Sequence, residues 1–320
     1  LILVRKFGGL ILTLLAVAFL TFLLTSLLPG NPALAMLGPS GVSAKAIAAV
    51  DAELGLNHSI IVRFWIWLGH VLHGNLGYSY ANNMSVRTEL AQYLPVTLEL
   101  IVLAMVISLV LAIPGGVFTA YRAGRPVDQV SSGLTFVLIG IPSFVMALLL
   151  IYVFAVKFHL FPASGWVPLT QNPAENLRYA FLPAFTLALS QVAIFMRLLR
   201  GDMITTLNED YVSLARSKGI STPRLLFRHA FRPSSFSLVT VVGLQVGFLL
   251  GGTVIVENLF AAPGIGMLLV QAIEARDLVT VQGITLFIAV AFVLVNFAVD
   301  LLYSVLDPRI RRGSASLATA

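Results

Sequence analysis

Charge is what this chain has least of. Of its 320 residues only 11% are charged, while 58% are hydrophobic. A soluble globular chain carries about 25% charged residues, so an ordinary cytosolic enzyme and a disordered protein are both excluded. Cysteine is absent altogether. That removes disulfides, thiolate metal sites, iron–sulfur clusters and cysteine nucleophiles together. The composition leaves an all-α polytopic membrane protein.

Catalytic signatures are missing too. No G-x-x-x-x-G-K-[ST] phosphate loop occurs, and Gly264-Ile265-Gly266 has no Lys-Ser/Thr pair beside it. There is no G-x-S-x-G nucleophile elbow and no H-E-x-x-H pair. His70 and His73 share a helix spacing but have no further ligands nearby in sequence, and His58, His159 and His229 are isolated. No metal site is expected.

What is present is a series of apolar runs, uncharged but for Glu99 in the second. A helix needs about 20 apolar residues to cross the hydrocarbon core. Six runs qualify, at residues 7–28, 94–121, 130–156, 179–196, 233–256 and 278–299. The first follows Arg5 and Lys6 and precedes Ala33-Leu34-Ala35, which resembles a signal-peptide cleavage site. Its 22 residues exceed the roughly 7–15 of a signal core, so it is expected to stay as a span. Six spans put both termini on one side. With the N-terminus inside, fourteen Lys and Arg fall inside and six outside. The positive-inside rule therefore predicts cytoplasmic termini.

Two connections are long. Residues 29–93 form an extracytoplasmic insertion, with a short helix expected at 44–54 and an aromatic amphipathic one at 60–72 carrying Phe64, Trp65 and Trp67. The second helix reads as a cap on the membrane surface or as a docking surface. The other long connection, 197–232, lies inside and holds seven of the fourteen inside cations. Asn208 is placed to cap a helix opening on Glu209-Asp210, Arg216 and Lys218 suit its C-terminal end, and Gly219 stops it. Thr222-Pro223 opens a second short helix. A basic knuckle of this kind suits anionic lipid. Tyr211, Leu214, Leu225, Leu226 and Phe227 add an apolar stripe that suits a protein groove. It carries no nucleic-acid-binding signature.

The run from Asp210 to Gly219, Asp-Tyr-Val-Ser-Leu-Ala-Arg-Ser-Lys-Gly, resembles the EAA loop of ABC-importer permeases in its dipeptide and oligopeptide form. Arg228-His229-Ala230-Phe231-Arg232 is similar to its usual continuation. His73-Gly74-Asn75-Leu76-Gly77, Glu257-Asn258-Leu259-Phe260 with Pro263-Gly264-Ile265-Gly266, and Asp307-Pro308-Arg309-Ile310-Arg311 also resemble family motifs, as does the stretch from Asp51 to Asn57. Ser213 and Leu214 depart from the broader EAA pattern, which has Glu and Ala there. The resemblance implies a B-type subunit of the peptide/nickel permease family with the binding-protein-dependent ABC importer fold. The chain would be a single permease domain over 1–320, with core helices at 94–306 and a coupling loop at 200–232. The resemblance also implies a second permease subunit (C-type), two ATP-binding subunits that hold ATP and Mg, and an extracytoplasmic substrate-binding protein. Asp210, Tyr211, Leu214, Ala215, Arg216, Lys218 and Gly219 would couple the chain to an ATPase. Short peptides are the implied substrate, with nickel chelates, glutathione or another small solute as alternatives.

Polar groups within spans are costly and call for a role. Gln245, mid-way along the fifth span, suits either the translocation path or an interhelical bond. Glu99 suits the path or interfacial water, and Asn296, one turn from Asp300, suits helix packing or the path. Gly243, Gly247, Gly251 and Gly252 line one stretch of the fifth span, which is therefore expected at a subunit interface. Pro114-Gly115-Gly116 and Gly140-Ile141-Pro142 are expected to break the second and third spans. A secondary transporter or channel is the rival class, but central charges are few and no internal repeat is evident. Gly219→Pro, or the charge reversal Arg216→Glu, is expected to uncouple ATP hydrolysis from transport. Unchanged uptake by reconstituted vesicles carrying either variant overturns that role.

Overall fold

A computed structural model of the chain describes residues 2–27 and 58–306. The expected helix at 44–54, the 51–57 motif and the 307–311 motif lie outside the described residues. The described chain is almost entirely helical. In order it runs through α1 (Ile2–Ser26), α2 (Ile60–Leu72), a two-stranded ribbon of β1 (Tyr78–Ser79) and β2 (Met84–Ser85), α3 (Val86–Tyr121), α4 (Pro126–Gly140) and α5 (Ser143–Leu150). It continues with α6 (Pro173–Leu207), α7 (Asp210–Ser217), α8 (Thr222–Phe260), α9 (Ile265–Glu274) and α10 (Leu278–Leu306). Five of these helices are long and apolar enough to cross a membrane. A sixth span is made if α4 and the helix beginning at α5, bent by 105° at their junction, count as one.

Contacts divide the chain into two units, residues 1–97 with 263–294 and residues 98–262 with 295–320. In the first, α1 and α2 meet through an aromatic cluster. Phe64 lies edge-on to Phe19 and Phe22, with ring centroids 5.1 and 5.7 Å apart, and Trp67 leans on Phe22 at 5.3 Å. Trp67 is thus part of the chain's own packing, while Trp65 faces outward with Ile61 and Ile66. A second cluster joins Val86, Leu90, Ile265, Leu268 and Ile284. The Thr97 hydroxyl accepts the Ile265 N–H at 2.8 Å, supplying a partner for an orphan donor at the start of α9. Gly283 lets α10 press against Val86, since a Cβ there would stand 2.6 Å from Val86 Cγ1. Two carboxylates are buried in this unit. Asp277 accepts from Ser79 Oγ at 2.6 Å and from Thr280 Oγ1 at 2.9 Å, and Glu89 accepts from Asn82 Nδ2 at 2.7 Å. These bonds hold the ribbon onto α3 and α10.

In the second unit the two expected helix breaks come out differently. Gly140-Ile141-Pro142 does break the third span. Ile141 is extended (φ −80°, ψ 122°), as a residue before proline favours, and the helix restarts at Ser143. Pro114 breaks nothing, because α3 runs unbroken from Val86 to Tyr121. Neighbouring helices in a membrane protein can tolerate one missing backbone bond. Gly115 and Gly116 serve close approach instead. A Cβ on Gly115 would stand 3.0 Å from Met196 Sδ, and one on Gly116 3.1 Å from Leu199 Cδ2, both on α6. Gly243 is likewise taken up inside the chain, against Val299 of α10, whereas Gly251 and Gly252 face open space.

The spans also extend further than their apolar runs. The fourth helix covers 173–207 rather than 179–196, and the fifth 222–260 rather than 233–256. The second begins at Val86, inside the segment assigned to the insertion. Hydropathy marks where lipid ends, while a helix continues for as long as its polar residues favour it. Gly116→Leu should cost about 1–3 kcal/mol through overpacking against Leu199. Gly133→Ala, where nothing lies within 4 Å, should leave stability unchanged or slightly raised. Thermal melts of the purified protein in detergent measure both.

Candidate functional site: the knuckle between the fourth and fifth spans

The connection over 197–232, expected to hold two short helices meeting at Gly219, is mostly helix. Only Asn208 and Glu209 separate α6 from α7, and only residues 218–221 separate α7 from α8. Asn208 ends α6, its N–H bonding to the Thr205 carbonyl at 3.2 Å, and Glu209 takes the N-cap position of α7. The cap is therefore one residue later than the sequence suggested. Asp210 lies in the first turn and Arg216 in the last, matching the helix dipole at both ends.

Gly219 closes α7 as its sequence position implies. Its φ of +78° is a left-handed conformation that suits glycine. Its N–H bonds to the Arg216 carbonyl at 3.0 Å, and the Ile220 N–H reaches back to the Ala215 carbonyl at 3.3 Å. This bond pair is a Schellman cap, and it carries the usual hydrophobic contact. Ile220 and Leu207 pack on a buried cluster of Val212, Ala215 and Leu225. Thr222-Pro223 then starts α8. This is not the separate short helix expected but the first turn of a continuous helix reaching Phe260. Its hydrogen bonding widens to i→i+5 over Leu225–Phe231. Within that stretch the His229 carbonyl accepts from the Tyr211 hydroxyl at 3.2 Å. Partial burial, with the Glu209 carboxylate adding to it, pushes the Tyr211 phenol up. Thr206 Oγ1 and Ser234 Oγ, 3.0 Å apart, tie α6 to α8 just behind the knuckle.

The result is a rigid corner with two faces. Val212, Ala215 and Leu225 point inward. Tyr211, Leu214 and Phe227 point outward, 47%, 56% and 55% exposed, among the exposed cations Arg216, Lys218, Arg224 and Arg228. Asp210, Tyr211, Leu214, Arg216, Lys218 and Gly219 are all exposed on this corner, while Ala215 is committed to the inner packing. Val212, which the sequence did not single out, is the fully buried centre of the corner. Its signal was the spacing to Ala215, three residues on.

The path candidates are not brought together. Among the described residues no hydrogen bond joins Glu99, Gln245 and Asn296. Glu99 faces the Asn176 side chain of α6. Glu99 Oε1 and Asn296 Oδ1 are each enclosed without a hydrogen-bond partner, and Gln245 is half-buried. Among the described residues no group of three or more His, Asp or Glu is arranged to hold a metal ion.

Long apolar helices joined by a corner with an outward apolar and basic face define a polytopic membrane protein. Residues 112–312 match the family described as binding-protein-dependent transport system inner membrane component, and residues 1–101 match its N-terminal family. The chain belongs to this family of ABC-importer permeases and is a multi-pass inner-membrane protein. A protein of Brucella abortus (strain 2308), provisionally named a peptide transport system permease, is 40% identical over 97% of this chain and 98% of its own length. The glutathione transport system permease protein GsiC of Salmonella choleraesuis (strain SC-B67) is 36% identical over 96% of this chain and 97% of its own. Membership implies an ATPase and a binding protein as partners.

Val212→Asp would bury an unpaired carboxylate in the corner and should open it. Trypsin is expected to cut after Arg216 and Lys218 faster than in the wild type, with the spans still protected. An unchanged cleavage rate would show that this cluster does not hold the knuckle.

Proposed function

We propose that this chain forms half of the translocation path of an ABC importer for di- and oligopeptides and that α7 is its coupling helix. The observation that carries the reading is the outward placement of Tyr211, Leu214 and Phe227 on a corner made rigid from within. Exposed apolar side chains outside the spans gain by filling a groove on a partner. The surrounding cations keep this face on the cytoplasmic side under the positive-inside rule, with both termini. Asp210, Tyr211, Leu214, Arg216 and Lys218 meet the ATP-binding subunit, and Ala215 and Gly219 shape the helix that presents them. Two ATP-binding subunits holding ATP and Mg, a second permease subunit of the C-type and an extracytoplasmic binding protein complete the assembly. Residues 29–93 face outside, residues 94–306 form the core, and residues 200–232 form the coupling region.

ATP-driven closure of the partner subunits draws the docked corners together. α6 and α8 leave the corner as unbroken helices and carry the movement into the spans. Gln245, Glu99 and Asn296 supply polar surface along the path. The relatives named for peptide and glutathione transport support a peptide-type substrate, glutathione itself being a tripeptide.

Leu214→Glu is expected to lower co-purification of the ATP-binding subunit by at least roughly tenfold, as for removal of an interface anchor, while the permease pair stays intact. Uptake by the reconstituted complex should be saturable with a di- to pentapeptide panel. Normal ATPase capture by Leu214→Glu overturns the coupling role, and uptake of no peptide overturns the substrate class.

A further inference from the structure

The second unit holds a partly buried charge pair that the reading above leaves unused. Asp128, in the first turn of α4, is only 3% exposed. Its carboxylate accepts Arg200 Nε at 2.5 Å and Arg200 Nη2 at 2.7 Å, a bidentate fork from α6. The Gly124 N–H, in the turn before α4, donates to the same carboxylate at 2.9 Å. One turn back along α6, the Arg197 guanidinium lies 4.7 Å over the Phe136 ring, also on α4. Two arginines of α6 therefore grip α4.

A buried ion pair is a poor source of stability compared with apolar packing. Its strength is geometric, because a bidentate guanidinium–carboxylate contact sets both the distance and the relative rotation of the two helices. The location gives that rigidity a use. From Arg200, α6 continues unbroken to Leu207, two residues short of the coupling helix. α4, with Asp128 in its first turn, runs 15 residues from Pro126 to Gly140, where the chain bends by 105°. α4 is thus an arm clamped at one end and hinged at the other.

We propose that Asp128 and Arg200 form a positioning clamp that passes movement of the knuckle into the third span, an inference that rests on the knuckle being the ATPase contact. The clamp stays closed through the transport cycle. α6 and the first part of α4 move as one body, and the hinge at Gly140-Ile141-Pro142 takes up the change.

The test uses the complete complex in proteoliposomes and reads substrate transported per ATP hydrolysed. Asp128→Asn is the gentler lesion, because the Arg200 it leaves unpaired has a side chain 29% exposed and can reach water. The ratio should fall roughly tenfold, within the usual range of coupling effects, with ATPase activity and subunit assembly within about twofold of wild type. The chain has no cysteine of its own, so a reversible version is available. With Asp128→Cys and Arg200→Cys joined by a short reducible thiol cross-linker, the ratio should recover, then fall again on reduction. Wild-type complex treated identically is the control for thiols on other subunits. A wild-type ratio in Asp128→Asn, or equal ratios with the cross-link closed and open, overturns the clamp. Loss of ATPase capture in Leu214→Glu with a wild-type ratio in Asp128→Asn overturns the clamp alone, whereas normal ATPase capture in Leu214→Glu overturns the coupling reading beneath it.

Discussion

Lipid offers no hydrogen-bond partner to a peptide group, and the rest of this structure depends on that constraint. Every backbone N–H and C=O within the hydrocarbon has to be satisfied inside its own helix. The chain meets the demand with long helices that outrun their apolar segments. Three of its irregular stretches shape the region from the third span to the fifth. The 208–209 link and the 218–221 turn make the corner, and residues 140–142 make the bend. The corner's exactness of shape follows from the same constraint, because α6 and α8 arrive as continuous helices and leave the short α7 little freedom.

Helices in lipid gain nothing from hydrophobicity alone when they associate, so close contact and polar bonds have to hold them. Glycine supplies the contact at Gly116 against Leu199 and at Gly283 against Val86. Buried acids supply the bonds, in two chemistries. Glu89 and Asp277 are held by neutral donors, the hydroxyls of Ser79 and Thr280 and the amide of Asn82. Asp128 is held by a guanidinium fork. Neutral donors leave a carboxylate some freedom to readjust, whereas the fork fixes a direction. That difference is why Asp128, rather than Glu89 or Asp277, suits a part that has to transmit movement.

How much was legible follows from how local each cause is. The stop at Gly219 was readable because a left-handed residue between Lys218 and Ile220 is a matter of one backbone angle. The break at Gly140-Ile141-Pro142 was readable for a similar reason. The same kind of tripeptide at Pro114-Gly115-Gly116 was misread, because its glycines answer to Met196 and Leu199, some 80 residues away in the chain. Trp67 looked like an interface anchor until Phe22 was found beneath it. The fourth and fifth spans read too short, because hydropathy registers lipid contact and is blind to a helix that continues into water. Asp128 passed unnoticed because an acid just after a proline at a helix start has an ordinary explanation in the helix dipole.

Sequence by itself determined the rough position of the five long apolar helices and of the bent pair, the concentration of cations in 197–232, and the motif at 210–219. These are properties of composition and of short runs, set by transfer between water and lipid and by single-residue backbone preference. Tertiary structure alone decided which face of the corner looks outward, which glycines are contacts rather than breaks, and that Arg200 grips Asp128. Each of these depends on which side chain stands opposite, and that is settled only when helices distant in the chain pack together.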